Sequence, residues 1–119
     1  ANIPPESLEG EVISSNGGVT LSIADKPLIG FVELNVRLND LAQIDHMADY
    51  LQICSHYLLN HFNRYCNSYN IFFYKINGQI TAKVMPRFVT SPIFVGYAIP
   101  QLSTRIPAVV ADLKKIYGL

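Results

Sequence analysis

The chain has 119 residues, of which 50% are hydrophobic and 15% are charged, and nine basic residues balance nine acidic ones. This length fits one domain with a single modest core, and the composition is that of a globular protein. The charge balance provides no basic surface for nucleic acid. Since no apolar run approaches the roughly 20 residues that cross a bilayer, we expect neither a nucleic-acid partner nor a membrane span.

The start of the chain and its cysteines bear on domain organisation and location. Residues 1–9 contain a Pro-Pro pair and precede the first regular pattern, so we interpret them as a linker or cloning remnant. Residues 10–119 would form one domain, excised from the C-terminal part of a longer protein. Cys54 and Cys66 fall in one predicted helix, where about 18 Å would separate them, too far for a disulfide. Free thiols and the lack of a signal peptide predict a cytoplasmic protein.

Three strands and a long helix are predicted in the first half of the chain. Residues 11–15 and 19–23 are β-rich and flank a turn, and residues 28–36 would form the third strand, with a bulge or close approach at Gly30. Asn39 or Asp40 would then cap a helix reaching about residue 65. Its apolar residues recur every three or four positions, which predicts one face lying across a sheet, widened by Tyr50, Cys54 and Tyr57. The members of that face are Leu41, Ile44, Ala48, Leu51, Leu58, Phe62 and Tyr65.

A β-hairpin over residues 70–88 is the clearest pattern. Two β-rich runs flank Asn77-Gly78, the strongest signal for a type I′ turn, and this turn fixes the register so that Ile76 faces Gln79. One hairpin face would pack under the long helix, and the other mixes aromatic with polar groups. The first face holds Ile71, Phe73, Ile80, Ala82 and Val84; the second holds Phe72, Tyr74, Ile76, Gln79, Thr81, Lys83, Met85 and Arg87.

The end of the chain completes the predicted fold. Residues 92–99 would add an edge strand, and Ser103 or Thr104 would begin a last helix that reaches about Ile116, with Pro107 in its first turn. We therefore predict an α+β domain: an antiparallel sheet of about five strands, one long helix packed on it and a short C-terminal helix.

The order of these elements and two short motifs resemble the histidine-triad (HIT) superfamily, which includes the galactose-1-phosphate uridylyltransferases. Residues 30–36 followed by Asn39-Asp40-Leu41 resemble the family's passage from strand to helix, and Met85-Pro86-Arg87 resembles the end of its triad strand. The resemblance covers about residues 10–88. It implies a HIT-like fold and the C-terminal half of a bacterial uridylyltransferase-like protein.

The resemblance also implies that the family's chemistry is lost. Matching Pro86-Arg87 to the family's Pro-Arg places the three histidine positions on Gln79, Thr81 and Lys83, and none is histidine. The family's phosphate loop is reduced to a two-residue turn. We therefore expect no catalytic residue and no cofactor, and a non-catalytic accessory or interaction domain. Two alternatives stay open: a phosphate- or nucleotide-handling enzyme domain in which Lys83 and Arg87 bind the anion, and an unrelated small-ligand-binding module.

The mixed hairpin face predicts a contact surface. Three interpretations stay open: the C-terminal helix or residues 92–99 cover this face, a partner covers it, or it holds a small-molecule site. If a partner covers it, Phe72, Tyr74 and Met85 are the expected interface residues because aromatic residues and Met are enriched at interfaces. The expected partner is a second copy, forming a homodimer, or the N-terminal half of the same protein. The three histidines do not show the spacing of a helical metal pair, so no metal site is expected.

Overall fold

The computed structural model describes residues 5–28, 32–62, 66–88 and 102–119. Its strands are β1 (Gly10–Asn16), β2 (Val19–Ala24), β3 (Leu34–Leu38), β4 (Cys66–Ile76) and β5 (Gln79–Phe88). They form one five-stranded antiparallel sheet in the order β1-β2-β3-β5-β4. With the helices described next, this arrangement confirms the predicted α+β fold class.

Two helices accompany the sheet. Helix α1 (Ile44–Tyr57) follows a 3₁₀ turn, Leu41–Gln43, and continues into a π-helical turn, Leu58–Phe62. Asp40 caps the 3₁₀ turn, because its Oδ1 accepts a hydrogen bond from the backbone N–H of Ala42 at 3.0 Å. Helix α2 (Leu102–Tyr117) begins slightly earlier than predicted, which places Pro107 beyond its first turn. Among the described residues, no helix combines the length and apolarity needed to cross a bilayer.

The hairpin formed by β4 and β5 confirms the predicted register. Ile76 pairs with Gln79, and the pairing continues without a shift to Ile71 opposite Val84. Asn77 and Gly78 have φ angles of 50° and 79°, and a type I′ turn requires positive φ at both positions. The turn chemistry therefore sets which side chains share a face.

The third predicted strand is shorter than expected. Strand β3 begins at Leu34, not at residue 28, and Gly30 lies outside the described residues. The predicted edge strand at residues 92–99 also lies outside the described residues. Strand β1, at the far edge of the sheet, contains a register shift between Val12 and Ser14.

Helix α1 presents a different face to the sheet from the one predicted. Leu41 and Ile44 are 67% and 54% exposed, and Ala48 is exposed as well. The 3₁₀ turn, with about 3.0 residues per turn, takes Leu41 out of the α-helical phase, whereas Ile44 and Ala48 belong to the α-helix itself and lie on its solvent side. Tyr50, Cys54 and Tyr57, which were expected only at the margin of the buried helix face, form its centre. The buried residues of α1 and the following turn are Met47, Tyr50, Cys54, Tyr57 and Leu58.

The prediction that Phe73 packs under α1 is wrong. Helix α1 lies over β2, β3 and β5, whereas Phe73 is on the edge strand β4 and is 62% exposed. The other members of that hairpin face do join the core: Ala82 and Val84 are fully buried, and Ile71 and Ile80 pack against it.

One core fills the space between the sheet and the two helices. Strands β2 and β3 contribute alternate side chains to it, α1 contributes its buried face, and α2 contributes Val109, Val110 and Leu113. The Tyr57 hydroxyl donates a hydrogen bond to Asp112 Oδ2 at 3.0 Å, which ties α1 to α2.

Both cysteines are free, as predicted, although Cys66 lies at the start of β4 and not in the helix. Burial raises the pKa of the Cys54 thiol from 9.0 to about 12. Above pH 9.0 the unfolded chain therefore loses this proton while the native thiol keeps it, so this contribution to stability is lost as the pH rises toward 12.

We expect Cys54→Ala to show a shallower loss of unfolding free energy than the wild type between pH 9 and pH 11. Urea melts across this range measure the slope. Burial raises the pKa of Cys66 as well, but Cys66 is less completely buried than Cys54, so Cys66→Ala should change the slope by a smaller amount. Equal slopes for the wild type and Cys54→Ala would contradict the assignment.

Candidate functional site

A buried polar cluster lies on the outer face of the sheet, which is the face opposite α1. Lys83 of β5 is fully buried there, beside Asn35 of β3. Its Nζ donates hydrogen bonds to Glu33 Oε1 at 2.8 Å and to the carbonyl oxygen of Ser7 at 2.6 Å. Glu33 is 1% exposed, so both charges of this ion pair are removed from water.

The N-terminal 3₁₀ turn, Pro5–Leu8, covers this cluster. Ser7 is 1% exposed, and its carbonyl oxygen accepts hydrogen bonds from Lys83 Nζ and, at 3.2 Å, from Asn35 Nδ2. Part of the predicted linker, residues 1–9, is therefore bound to the sheet by two side chains. We name residues 5–9 the N-terminal strap.

The environment of Lys83 constrains its chemistry. Burial lowers the pKa of the Lys83 ammonium, while the hydrogen bond to Glu33 and its negative charge oppose that change. A fully buried ammonium that donates to a carboxylate and a carbonyl presents no open face to an external phosphate. Arg87, expected to bind the same anion, is exposed and makes no ion pair with a described residue.

The expected interface residues are in three different environments. Phe72 is 43% exposed, Tyr74 is half-buried, and Met85 is only 4% exposed within the chain itself. The structure therefore places Phe72 and Tyr74 where a partner can reach them but not Met85. Phe72 and Phe73 lie side by side in β4 and project to opposite faces of the sheet.

Strand β4 lies at the edge of the sheet that the described residues form. Among the described residues it pairs with β5 alone, and its eleven residues make it the longest strand of the sheet. An edge of this kind leaves backbone N–H and C=O groups available for pairing with another chain.

A pocket of about 210 Å³ opens on the outer face next to the strap. Its polar lining comes from Glu9, Arg37, Asn77, Gln79 and Thr81, and its apolar lining from Leu8 and Ile76. Gln79 and Thr81, two of the three positions at which the resemblance places the histidine triad, therefore line one pocket. The third, Lys83, belongs to the buried ion pair instead.

Sequence reasoning missed Ser7, Glu33 and Asn35. A signal was present for two of them, because Glu33 and Asn35 alternate with apolar residues along a run that is otherwise typical of a buried strand. Polar residues at a period of two place both on one sheet face. No pattern in the sequence linked that face to Ser7. Among the described residues, no three His, Cys, Asp or Glu side chains come together in a way that could hold a metal ion.

Comparisons with known proteins identify relatives of this domain. The structure is similar to that of a DUF4931 family protein from Bacillus cereus ATCC 10987, with a TM-score of 0.83 and 42% sequence identity over 98% of this chain and 54% of that chain. The chain is also 34% identical, over 90 residues, to a protein of Lactobacillus helveticus named as a di-/tripeptide transporter, covering 76% of this chain and 18% of that protein. It thus spans about half of one relative and a small part of the other.

The match to a protein family covers almost every residue. The family described as the C-terminal domain of the domain of unknown function DUF4931 matches residues 1–118, including the strap, the buried ion pair and the edge strand. The chain therefore belongs to the DUF4931 family, in which it corresponds to the C-terminal domain.

Proposed function

We propose that this domain is a non-catalytic interaction domain that binds the other part of its own protein through the edge strand β4. The observation that carries the proposal is the exposure of Phe72 and Phe73, at 43% and 62%, on that strand. Large apolar side chains exposed together mark contact surfaces, and aromatic residues are enriched at interfaces. A strand that pairs with β4 would contact one ring on each side of the sheet.

The two edges of the sheet differ in a way that supports this assignment. At the opposite edge, β1 has a register shift after Val12 and carries exposed Glu11, Ser15 and Asn16. Bulges and charged or polar side chains protect an edge against pairing with another strand. Strand β4 is regular from Ser68 to the turn and presents aromatic side chains, so apart from the exposed Lys75 near the turn it lacks this protection over most of its length.

The length of a related protein and the description of the family indicate which partner binds β4. The Bacillus cereus chain is nearly twice the length matched here, since the match covers 54% of it, and the family is described as a C-terminal domain. An N-terminal part of the same protein is therefore the partner that we favour over a second copy. The name of the Lactobacillus helveticus relative brings no transport function into the proposal, because only 18% of that protein is matched.

The side chains on the outer face of the sheet are the reason why we propose a domain without catalytic activity. From the sequence motifs we infer a HIT-like descent in which the chemistry was lost, with the element order of hairpin, strand, helix, hairpin and helix. At the matched triad positions, Gln79 and Thr81 offer no imidazole, and the Lys83 ammonium is bound by Glu33 and Ser7. The same burial weakens the alternative that Lys83 and Arg87 handle a phosphate group.

Charge on the edge strand should disrupt the association. We expect Phe73→Glu to weaken binding of this domain to the separately produced remainder of its protein by roughly tenfold or more, about 1.4 kcal/mol per factor of ten, because the contact would then desolvate a carboxylate. Sedimentation velocity of the mixture measures the binding. Val12→Glu is the matched control, since Val12 is 53% exposed on the opposite edge.

Two results would count against the proposal. One is a mixture in which wild type and Phe73→Glu bind equally well. The other is a wild-type domain that ignores the remainder but self-associates through β4, which would identify a second copy as the partner instead.

A further inference from the structure

The pocket beside the strap collects polar side chains that the fold does not use. Among the described residues, the side chains of Glu9, Arg37, Gln79 and Thr81 form no hydrogen bond or ion pair with one another or with any neighbour. All four line the same pocket. Glu9, Arg37 and Gln79 are exposed, so water satisfies their polar groups when the pocket is empty, whereas Thr81 is 5% exposed and its hydroxyl has no partner among the described residues. A few polar groups that converge on one cavity with apolar walls are typical of a binding site.

The polar side chains of the adjacent buried cluster, unlike those of the pocket, have hydrogen-bond partners within the domain. A few residues away along β3 and β5, Lys83 and Asn35 donate hydrogen bonds to the strap, and Lys83 is neutralised by Glu33. Those polar groups stabilise the fold. The pocket side chains come from the same strands and the same strap but have no comparable partners among the described residues. Their structural role is therefore small, and they remain available to a ligand that enters the pocket.

The charges that line the pocket select the class of ligand. We propose that the pocket binds a small zwitterion, such as a free α-amino acid. The Arg37 guanidinium can bind a carboxylate through two parallel hydrogen bonds, and the Glu9 carboxylate can accept hydrogen bonds from an ammonium group. A phosphate or nucleotide fits less well, because Glu9 would repel its negative charge.

The size and the apolar walls agree with a small ligand. A volume of about 210 Å³ is below the roughly 300–1,000 Å³ of pockets for drug-sized molecules. Leu8 and Ile76 provide apolar contacts for a short aliphatic side chain, and the Thr81 hydroxyl and Gln79 amide provide further hydrogen bonds. This site is separate from the β4 aromatic residues, so it does not depend on the proposed association.

Matched probes can test the two charge contacts separately. L-valine carries both charged groups, isovalerate lacks its ammonium, and isobutylamine lacks its carboxylate. We expect millimolar valine to shift the backbone amide NMR signals of Ile76, Gln79 and Thr81, and each single-charge analogue to bind roughly tenfold more weakly. Arg37→Gln should weaken valine and isovalerate but not isobutylamine, and Glu9→Gln should weaken valine and isobutylamine but not isovalerate.

The controls decide between this site and nonspecific binding. Lys75→Gln, at an exposed position on the other face of the same hairpin, should bind valine as the wild type does. The proposal is overturned if valine leaves these amides unshifted, if Arg37→Gln and Glu9→Gln both bind it like the wild type, or if inorganic phosphate binds the pocket more tightly than valine.

Discussion

Lys83→Met is expected to lower the free energy of unfolding by about 3–5 kcal/mol, as removal of one partner from a buried ion pair does. Lys83 is fully buried and Glu33 is 1% exposed, so the variant removes from the protein interior the ammonium that neutralises the Glu33 carboxylate. It also removes the donor of the 2.6 Å hydrogen bond to Ser7. Since a small domain is stable by only about 5–15 kcal/mol, urea melts should show a large fall in the midpoint.

A second variant distinguishes the effect of the unbalanced charge on stability from the effect of changed packing. Lys83→Met combined with Glu33→Leu removes both charges, and replacing a buried ion pair by apolar groups is often neutral or stabilising. The double variant should therefore recover most of the loss. Lys75→Met, at an exposed position of the same hairpin, should stay within about 0.5 kcal/mol of the wild type. A loss below about 1 kcal/mol for Lys83→Met would show that the pair is not buried in solution.

Leu113→Ala is expected to destabilise the domain by about 2–5 kcal/mol, the usual range for truncating a buried leucine. Leu113 is fully buried where α2 meets the core, so the variant leaves a cavity between that helix and its neighbours. Ile116→Ala is the matched control on the same helix, because Ile116 is 42% exposed. Comparable losses for the two variants in urea melts would mean that α2 packs with a different face.

Local patterns predicted the elements that have a strong local cause. The Asn77-Gly78 turn determines its own φ angles, so the hairpin register followed from two residues. Asp40 was a correct start signal because capping depends on the next few residues alone. The α+β class followed from the order of such elements. These predictions needed no knowledge of what each element packs against.

The features that depend on distant contacts were not predictable in the same way. The buried face of α1 is the apolar stripe beside the predicted one, because Met47 and Tyr50 join the core and Ala48 does not. Phe73 is exposed because β4 lies at the edge of the described sheet. A buried face and an exposed edge have similar side chains in the sequence. Only part of the candidate site could be predicted from the sequence. The resemblance pointed to Gln79 and Thr81, whereas Glu9 and Arg37 come next to them only in the folded chain.

The contact between Ser7 and Lys83 joins residues 76 positions apart, and this separation has a consequence for biosynthesis. At about 5–20 residues per second, the ribosome completes Lys83 roughly 4–15 s after Ser7. During that interval the strap is complete and the Glu33 carboxylate is added, but their shared partner Lys83 has not yet been made. The outer face of the sheet can therefore close only after β5 has left the ribosome, and until then the nascent strap is open to proteases and chaperones.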